Sequence, residues 1–462
     1  MNNIIVILAA LCLILLSRDD AFAEAKRCTR IWLDPSKTPT WMNSGVWNSD
    51  STEMLWADAY RTEILRVNGE TGSIELVFLD WDSSLKEALK KDMNRVYPEI
   101  FGKELWELSK AYYRPDGPTA IKRDQNGILL QYTTPTSLVR VPESIDASLT
   151  DGSLSYRLLA GTEQLNSNVV SPDQSTAHSQ PSSVRFISAY QLEPLGDGFL
   201  AFATIKPTCD TSDPFEAFAF VTPSAGVQLL KVEGGVDSDI DPCLARLAAV
   251  EGELAVLHQA SYMPHFAAVG NLGFILNLGT TPSVLRFDPA GFLSVLEAVP
   301  ASLLDRPDPL ELKTERLGPG RQYLQYKAIE KAALAAGLYN IEDRLFLLKK
   351  SIVSDATRWS LIDLDLETGS IQGRYWLPSS ANHLTLVVGD SYVTLVEKGP
   401  VQDIALGGPY MQIRSMTHIP TEWFSNHSDS PLAAFSDGAI SSCTESGKKY
   451  KRGPSQYSWI SN

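Results

Sequence analysis

Basic residues are the minority in this chain. Forty Lys and Arg stand against 55 Asp and Glu, a formal net charge of -15 over 462 residues. That balance excludes a duplex-binding protein, which needs a cationic face to displace counterions, and it disfavours an anionic membrane surface. Acidity of this kind serves solubility and leaves room for Ca²⁺ at acidic clusters. Long apolar runs are scarce. The stretch 4–16, IIVILAALCLILL, is unbroken, yet at about a dozen residues it falls short of the ~20 that span a bilayer. It has the size of a signal-peptide core, and Ala21-Phe22-Ala23 follows with small residues where a signal peptidase reads. Residues 1–23 are therefore expected to be a leader, and the mature chain secreted or periplasmic. The alternative is an N-terminal membrane anchor.

Catalytic signatures are also lacking. No G-x-S-x-G elbow and no Walker loop occurs. The turns 270–273 and 318–320 are too short to cradle phosphate. The six histidines, His178, His258, His265, His383, His418 and His427, include no i,i+4 pair and no C-x-x-C company, so no zinc site is legible. They read as surface or loop residues. Cysteines number five. With Cys12 lost in the leader, an even four remain for an oxidising compartment. Three pairings are open. The favoured one joins Cys209 to Cys243 across a short loop and Cys28 to Cys443 across the termini.

What the chain does have is repetition. Short apolar strands meet at tight acidic or Gly turns in 120–132, 192–203, 247–258, 338–349 and 384–397. Asp124 to Gly127, Gly196 to Gly198, Gly252, Asp343 and Gly389-Asp390 suit hairpins that need positive φ. A second hairpin follows most of them, as in ILRVNGETGSIELV and SLIDLDLETGSIQGRYW. Two hairpins make the four strands of a propeller blade. Counting gives six blades, at about 44–80, 115–160, 184–234, 244–300, 330–378 and 382–420. The pentapeptide ETGSI, at 70–74 and 367–371, reads as one turn used in the first and the last blade. A seven-bladed ring or a pair of open sandwiches is the alternative fold.

The surplus length reads as insertions. A capping box at Ser84 and Glu87, with apolar spacing through 99–113, predicts a helical pair over about 82–114. Residues 161–183 form a polar loop. The stretch 321–337 is a further candidate helix stopped by Gly337. The propeller domain is thus assigned to 24–425 and a polar tail to 426–462. That tail holds the formal sequon at Asn426 and the basic KKYKR.

Residues 45–72, GVWNSDSTEMLWADAYRTEILRVNGETG, resemble the opening blade of the gluconolactonase/regucalcin-like six-bladed propellers. They are more loosely similar to NHL-type and TolB-like ones. The shared features are Val46-Trp47, Leu55-Trp56-Ala57-Asp58, Ile64, Arg66 and Thr71-Gly72. The resemblance implies an all-β six-bladed propeller and, in the enzymes, a divalent cation in the central tunnel held by a Glu, an Asp and Asn residues. Asn43 stands where the family has its Glu, which removes a charged ligand. Asp58 is the remaining candidate for the metal. Asp237, Asp239 and Asp241 alternate as a calcium loop could, although Pro242 and Ala248 break the EF-hand pattern. These residues give an exported propeller that binds a ligand or protein partner where loops converge at one tunnel mouth. The alternative is a metal-dependent lactonase or esterase-like hydrolase.

Overall fold

The computed structural model describes residues 28–34, 42–58, 63–78, 94, 103, 107, 120–124, 127–132, 137–141, 157–160, 169–170, 184–207, 215–222, 226–229, 265–278, 282–288, 292–306, 332–403, 408–424, 443–446 and 457–459. Their architecture is six sheets. Sheet 1 holds Met42–Trp47, Glu53–Asp58, Glu63–Asn68 and Ile74–Phe78. Sheet 2 holds Ala120–Asp124, Gly127–Tyr132, Ser137–Val141 and Arg157–Ala160. Sheet 3 holds Val184–Leu195, Gly198–Pro207, Phe215–Thr222 and Gly226–Leu229, with Val169–Val170 added in parallel at its outer edge. Sheet 4 holds His265–Val269, Leu272–Asn277, Ser283–Asp288 and Phe292–Val295. Sheet 5 holds Leu334–Ile341, Arg344–Val353, Ala356–Leu364 and Ile371–Leu377.

In each of these five sheets the four main strands follow one another in the chain and pair in antiparallel order. Sheet 6 is composite. Its strands His383–Val388, Tyr392–Asp403 and Gly408–Pro420 are completed by Thr29–Trp32 from the far N-terminal end. Thr444–Ser446 then pairs in parallel with Thr29–Trp32, and Tyr457–Trp459 pairs with Val401–Asp403. The first strands of sheets 1 to 6 contact one another in a closed circuit, with sheet 6 touching sheet 1. Sheets radiating from a ring of inner strands make a β-propeller.

Each sheet is covered on both faces by its neighbours, so its strands carry near-continuous apolar runs instead of alternation. The strand LGFILN, 272–277, is buried at its four central positions. Apolar clusters fill the wedges between sheets. Ile31, Trp47, Trp56, Val387, Val396 and Met416 lie between sheets 6 and 1. Leu276, Leu345 and Ile362 lie between sheets 4 and 5. Trp47 and Trp56, which read as half-buried from their alternation with polar residues, are in fact 2% and 0% exposed.

The two ETGSI copies form the same turn. Asn68 and Asp365 each accept bonds through Oδ1 from the amides two and three residues on and from the Thr71 or Thr368 hydroxyl. Those hydroxyls also receive the amides of Ser73 and Ser370. Gly72 and Gly369 complete the turns at φ +67° and +79°. Each turn packs on the outer strand region of the preceding sheet: Gly72 on Ile31 and Leu33, Gly369 on Leu296 and Val299. The Ala298 amide donates to the Thr368 carbonyl at 3.0 Å. The repeat is therefore an inter-sheet seat as well as a turn. It belongs to sheets 1 and 5, and sheet 6 stands between them.

A methyl group at either glycine meets both a left-handed backbone and an occupied seat. Gly72→Ala and Gly369→Ala should each cost about 2–3 kcal/mol. Gly196→Ala has the same handedness at φ +59° but nothing within 4 Å, and should cost about 1 kcal/mol. Urea unfolding of the three variants checks this; equal costs at all three positions would show that the seat contributes nothing.

Several expectations shift. The fourth sheet begins at His265, and its first hairpin turns at Gly270; 247–258, read as that hairpin, lies outside the described residues. Leu334–Ile341 is a strand, so the helix expected to run to Gly337 does not reach it. The small residues of LAAGLYNI suit an inner strand, and Gly337 leaves room for the Tyr339 ring. Glu342 and Asp343 do adopt positive φ. Gly389 is not among the positive-φ residues; it is required because a Cβ would stand 2.6 Å from the Trp47 ring. The end of the chain is not purely a polar tail, since residues 443–446 and 457–459 join sheet 6. Asn94, Lys103 and Glu107 are helical and exposed; the rest of 82–114, the leader, the polar loop and the sequon lie outside the described residues. Among the described residues no helix is long and apolar enough to cross a membrane.

Candidate functional site

The two ends of the ring differ, for a topological reason. In a four-strand antiparallel sheet, the links between strands 1 and 2 and between strands 3 and 4 fall at one end. There the chain turns tightly at 48–52, 69–73, 196–197, 270–271, 342–343 and 365–370. The turns at 48–52, 69–73 and 365–370 satisfy many of their own polar groups. Asn48 Oδ1, for example, accepts the amides of Thr52 and Glu53 at 3.0 Å. The long connections 79–119, 161–183, 230–264 and 296–333 run from fourth strands to the next first strand and so leave from the opposite end. The 142–156 link is the exception at the tight-turn end.

Buried polar side chains lie toward both ends: Asp363, Thr394 and His418 stand nearer the tight turns, and others nearer the long-connection end, where first strands begin and second strands finish. Gln131, Lys349, Lys350 and Glu397 are buried there, at 1%, 4%, 0% and 8% exposure. Lys349 reaches Asp305 at 2.8 Å; burial depresses its pKa, with Asp305 opposing.

The channel wall is made from the free edges of the first strands, and side chains stitch one edge to the next. The Ser44 hydroxyl donates to the Ile121 carbonyl at 2.6 Å and receives the Ile121 amide at 3.2 Å. Asn340 donates to the Ala268 carbonyl at 2.8 Å. Tyr339 receives the Leu386 amide at 3.4 Å, and burial raises its phenol to about 12. Lys122 bridges to Glu193 at 2.7 Å. His265 is surrounded by protein yet keeps partial contact with solvent, as a channel-lining group does. Burial first, and the Lys122 charge second, bring its pKa down to about 4. A neutral imidazole, a phenol, an ion pair and an amide are therefore carried by the innermost strands, a set whose chemistry suits hydrogen-bonding a polar ligand.

Two buried networks hold the composite sheet in place. Glu397 takes Arg30 and the Ser379 hydroxyl on Oε1 and the Ser415 hydroxyl, at 2.7 Å, on Oε2. The closing strand thus supplies the cation for a carboxylate on the second strand of sheet 6. In the wedge toward sheet 1, Trp47 Nε1 donates to Thr394 Oγ1 at 3.2 Å, Thr394 lies 2.8 Å from His418 Nδ1, and His418 Nε2 lies 2.9 Å from the Gly69 carbonyl. His265 and His418 were read as surface or loop histidines. Both are interior, because a histidine inside an apolar strand carries no sequence mark separating it from an exposed one.

The other anticipated residues fall as follows. Asp58 ends the second strand of sheet 1 opposite Met42, and Asn43 sits at the irregularity between Met42 and Ser44. The two therefore share the long-connection end of one sheet. Among the described residues no group of three His, Cys, Asp or Glu is placed to hold a metal ion. Asp237, Asp239 and Asp241, together with Cys209 and Cys243, lie outside the described residues. Cys28 and Cys443 are disulfide-bonded, with Cα atoms 4.7 Å apart. Sequence reasoning missed Lys122, Glu193, Tyr339, Asn340 and Lys398. The one available signal was a polar residue interrupting an apolar strand near its end.

No protein-family model matches the chain, and no curated protein matches it. Solved structures align with it at low similarity. The major allergen Mala s 1 of Malassezia sympodialis is 8% identical with a TM-score of 0.39, over 84% of this chain and 95% of that one. A luciferin-regenerating enzyme is 7% identical with a TM-score of 0.38, over 84% and 94%. The Cps50 β-propeller domain of Myceliophteria thermophila is 10% identical with a TM-score of 0.34, over 82% and 86%. Likeness at this level carries nothing about activity and does not support the gluconolactonase-like, NHL-type or TolB-like resemblance beyond the propeller. The chain is a β-propeller on the strength of its own strand topology.

Proposed function

We propose that this chain is a six-bladed, exported propeller, with the composite sheet as its sixth blade, and that it binds a small polar ligand at the long-connection mouth of its channel. The observation that carries this reading is the difference between the two ends. One is made of tight turns, three of which bond their own polar groups; from the other the longest connections leave, and His265 and the buried lysines lie toward it. Buried lysines weaken a core, so the placement of Lys349 and Lys350 toward this mouth supports use there.

The test is equilibrium dialysis of the purified chain against a mixed metabolite extract, repeated with His265→Trp, whose larger ring would fill the mouth. Circular dichroism must show both proteins folded. At least one small molecule should be enriched by the natural chain and not by the variant. Equal enrichment by both, or none by either, refutes the reading. A stoichiometric divalent cation with EDTA-sensitive lactone hydrolysis would replace it with the hydrolase.

A further inference from the structure

Lys398, toward this mouth, has no counter-charge among the described residues. It lies on the second strand of sheet 6, opposite His383 on the first strand and Ile413 on the third. Ile413 belongs to the apolar cluster between sheets 6 and 1, and cross-strand partners share a face. Lys398 therefore faces sheet 1, one step nearer the mouth than Val396 of that cluster. It is enclosed but still touches solvent, and burial alone brings its amine down to about 8.

The register is adjusted at this position. Between Glu397 and Lys398 the pairing skips Arg414, a bulge that separates the buried Glu397 network from Lys398. Bulges of this kind re-aim a side chain. Glu397 is occupied by Arg30, Ser379 and Ser415, all engaged away from Lys398.

A second unused donor stands on the facing wall. Trp56, 0% exposed, lies in the same cluster with its indole laid over Gly45, where a Cβ would come within 2.6 Å of the ring. Its Nε1 is buried and makes no hydrogen bond. Gly45 is what lets that ring lie against the innermost strand. A buried N–H without an acceptor is rare in folded proteins, and an enclosed ammonium without an anion is rarer still. Both shortfalls would be met by one chemical group.

We propose that the wedge between sheets 6 and 1 at the channel mouth is an oxyanion site, in which Lys398 supplies the charge and Trp56 Nε1 a second donor to a ligand carboxylate or phosphate. This rests on the binding-module reading and names the ligand class. It also accounts for a lysine that has no counter-charge among the described residues: the ligand supplies the anion.

The experiment measures acetylation of Lys398 by peptide mass spectrometry across pH, on the full chain, with and without millimolar succinate or inorganic phosphate, using chloride at matched ionic strength as control. An anion that raises the amine's pKa by one unit slows labelling about tenfold at neutral pH. Protection by succinate alone identifies a carboxylate ligand, and protection by phosphate alone a phosphate; both together indicate a site that reads the oxyanion only. Protection by neither overturns the proposal, whereas a His265-dependent ligand found by dialysis would survive that failure. Lys398→Met supplies a second readout. It should melt higher than the natural chain at neutral pH and lose every anion-dependent shift in melting temperature. A lower melting temperature would assign Lys398 a structural role and overturn the site.

Discussion

Replacing Cys28 and Cys443 together with alanine should remove about 4–5 kcal/mol of stability, the largest loss expected from any conservative change in this chain. The disulfide joins residues 415 apart, so breaking it frees nearly the whole chain in the unfolded state. Loop-closure entropy grows slowly with length, which sets the upper end of that figure. The native state has its own stake. Cys28 adjoins the closing strand, and its carbonyl receives the Thr444 amide at 2.9 Å. Thr29–Trp32 is held on one side by the third strand of sheet 6 and on the other by Thr444–Ser446. If the strand peels away, Glu397 loses Arg30 and becomes a buried carboxylate without its cation, while Gly72 loses the Ile31 side chain it sits against. Urea titrations of the oxidised chain, the two single variants and the double variant settle the matter. Each single variant should lose about as much as the double. Additive single losses would mean that the cysteines matter as packed side chains and the bond contributes little.

How much of this was legible is best judged residue by residue. The ETGSI turn was readable because Asn or Asp followed by Thr-Gly is local chemistry, and local chemistry is written in adjacent letters. Its location in the ring was not, because the closing strand comes from some 380 residues away in sequence. Nothing in CTRIW says that it completes a sheet whose other strands lie at 383–420. The Cys28–Cys443 link was readable from the parity of the cysteines and the need of a ring to bring its ends together. Buried polar residues were the blind spot. His418, Thr394 and Lys398 stand in apolar strands where each looks like an outward-facing position. A propeller blade has neighbours on both faces, and the period-2 rule for outward residues then fails. The same failure made Trp47 and Trp56 look half-buried. Asp58 could be placed on its strand, but a metal role for it needed partners from other sheets, which no single blade motif encodes.

Lowering the pH from neutral toward 4 should destabilise the ring through His418, and the bond pattern dictates the sign. The Gly69 carbonyl can only accept, so His418 Nε2 carries the proton and Nδ1 accepts the Thr394 hydroxyl; Thr394 in turn accepts Trp47 Nε1. The neutral ring satisfies every group in the chain of bonds. A second proton would face the Thr394 hydroxyl in a wedge closed by Trp47, whose ring centroid lies 5.0 Å away, and by Tyr392 at 5.8 Å. Burial accordingly brings the His418 pKa down to about 4, against a small opposing contribution from the Gly69 bond. The unfolded chain keeps an ordinary histidine near 6.5. Between those values the unfolded state binds the extra proton and the folded state does not. Stability is thus fully present above pH 6.5 and falls as pH drops toward 4, by about 3 kcal/mol for this residue. His265, lowered to about 4 mainly by burial, adds a second proton over the same window. Asp50 and Asp365, held below the usual carboxylate range chiefly by Thr52 and Thr368, act only at still lower pH. His418→Ala should cost about 3–4 kcal/mol at pH 7, because it leaves a cavity, an unaccepted Thr394 hydroxyl and an unpaired Gly69 carbonyl. The same variant should halve the proton uptake on unfolding between pH 6.5 and 4, from about two to about one. Urea stability measured at several pH values for both proteins gives that slope directly. A slope unchanged by the substitution would show that His418 is protonated in the folded ring, and the seal between sheets 6 and 1 would have to be rewritten with a charged imidazole.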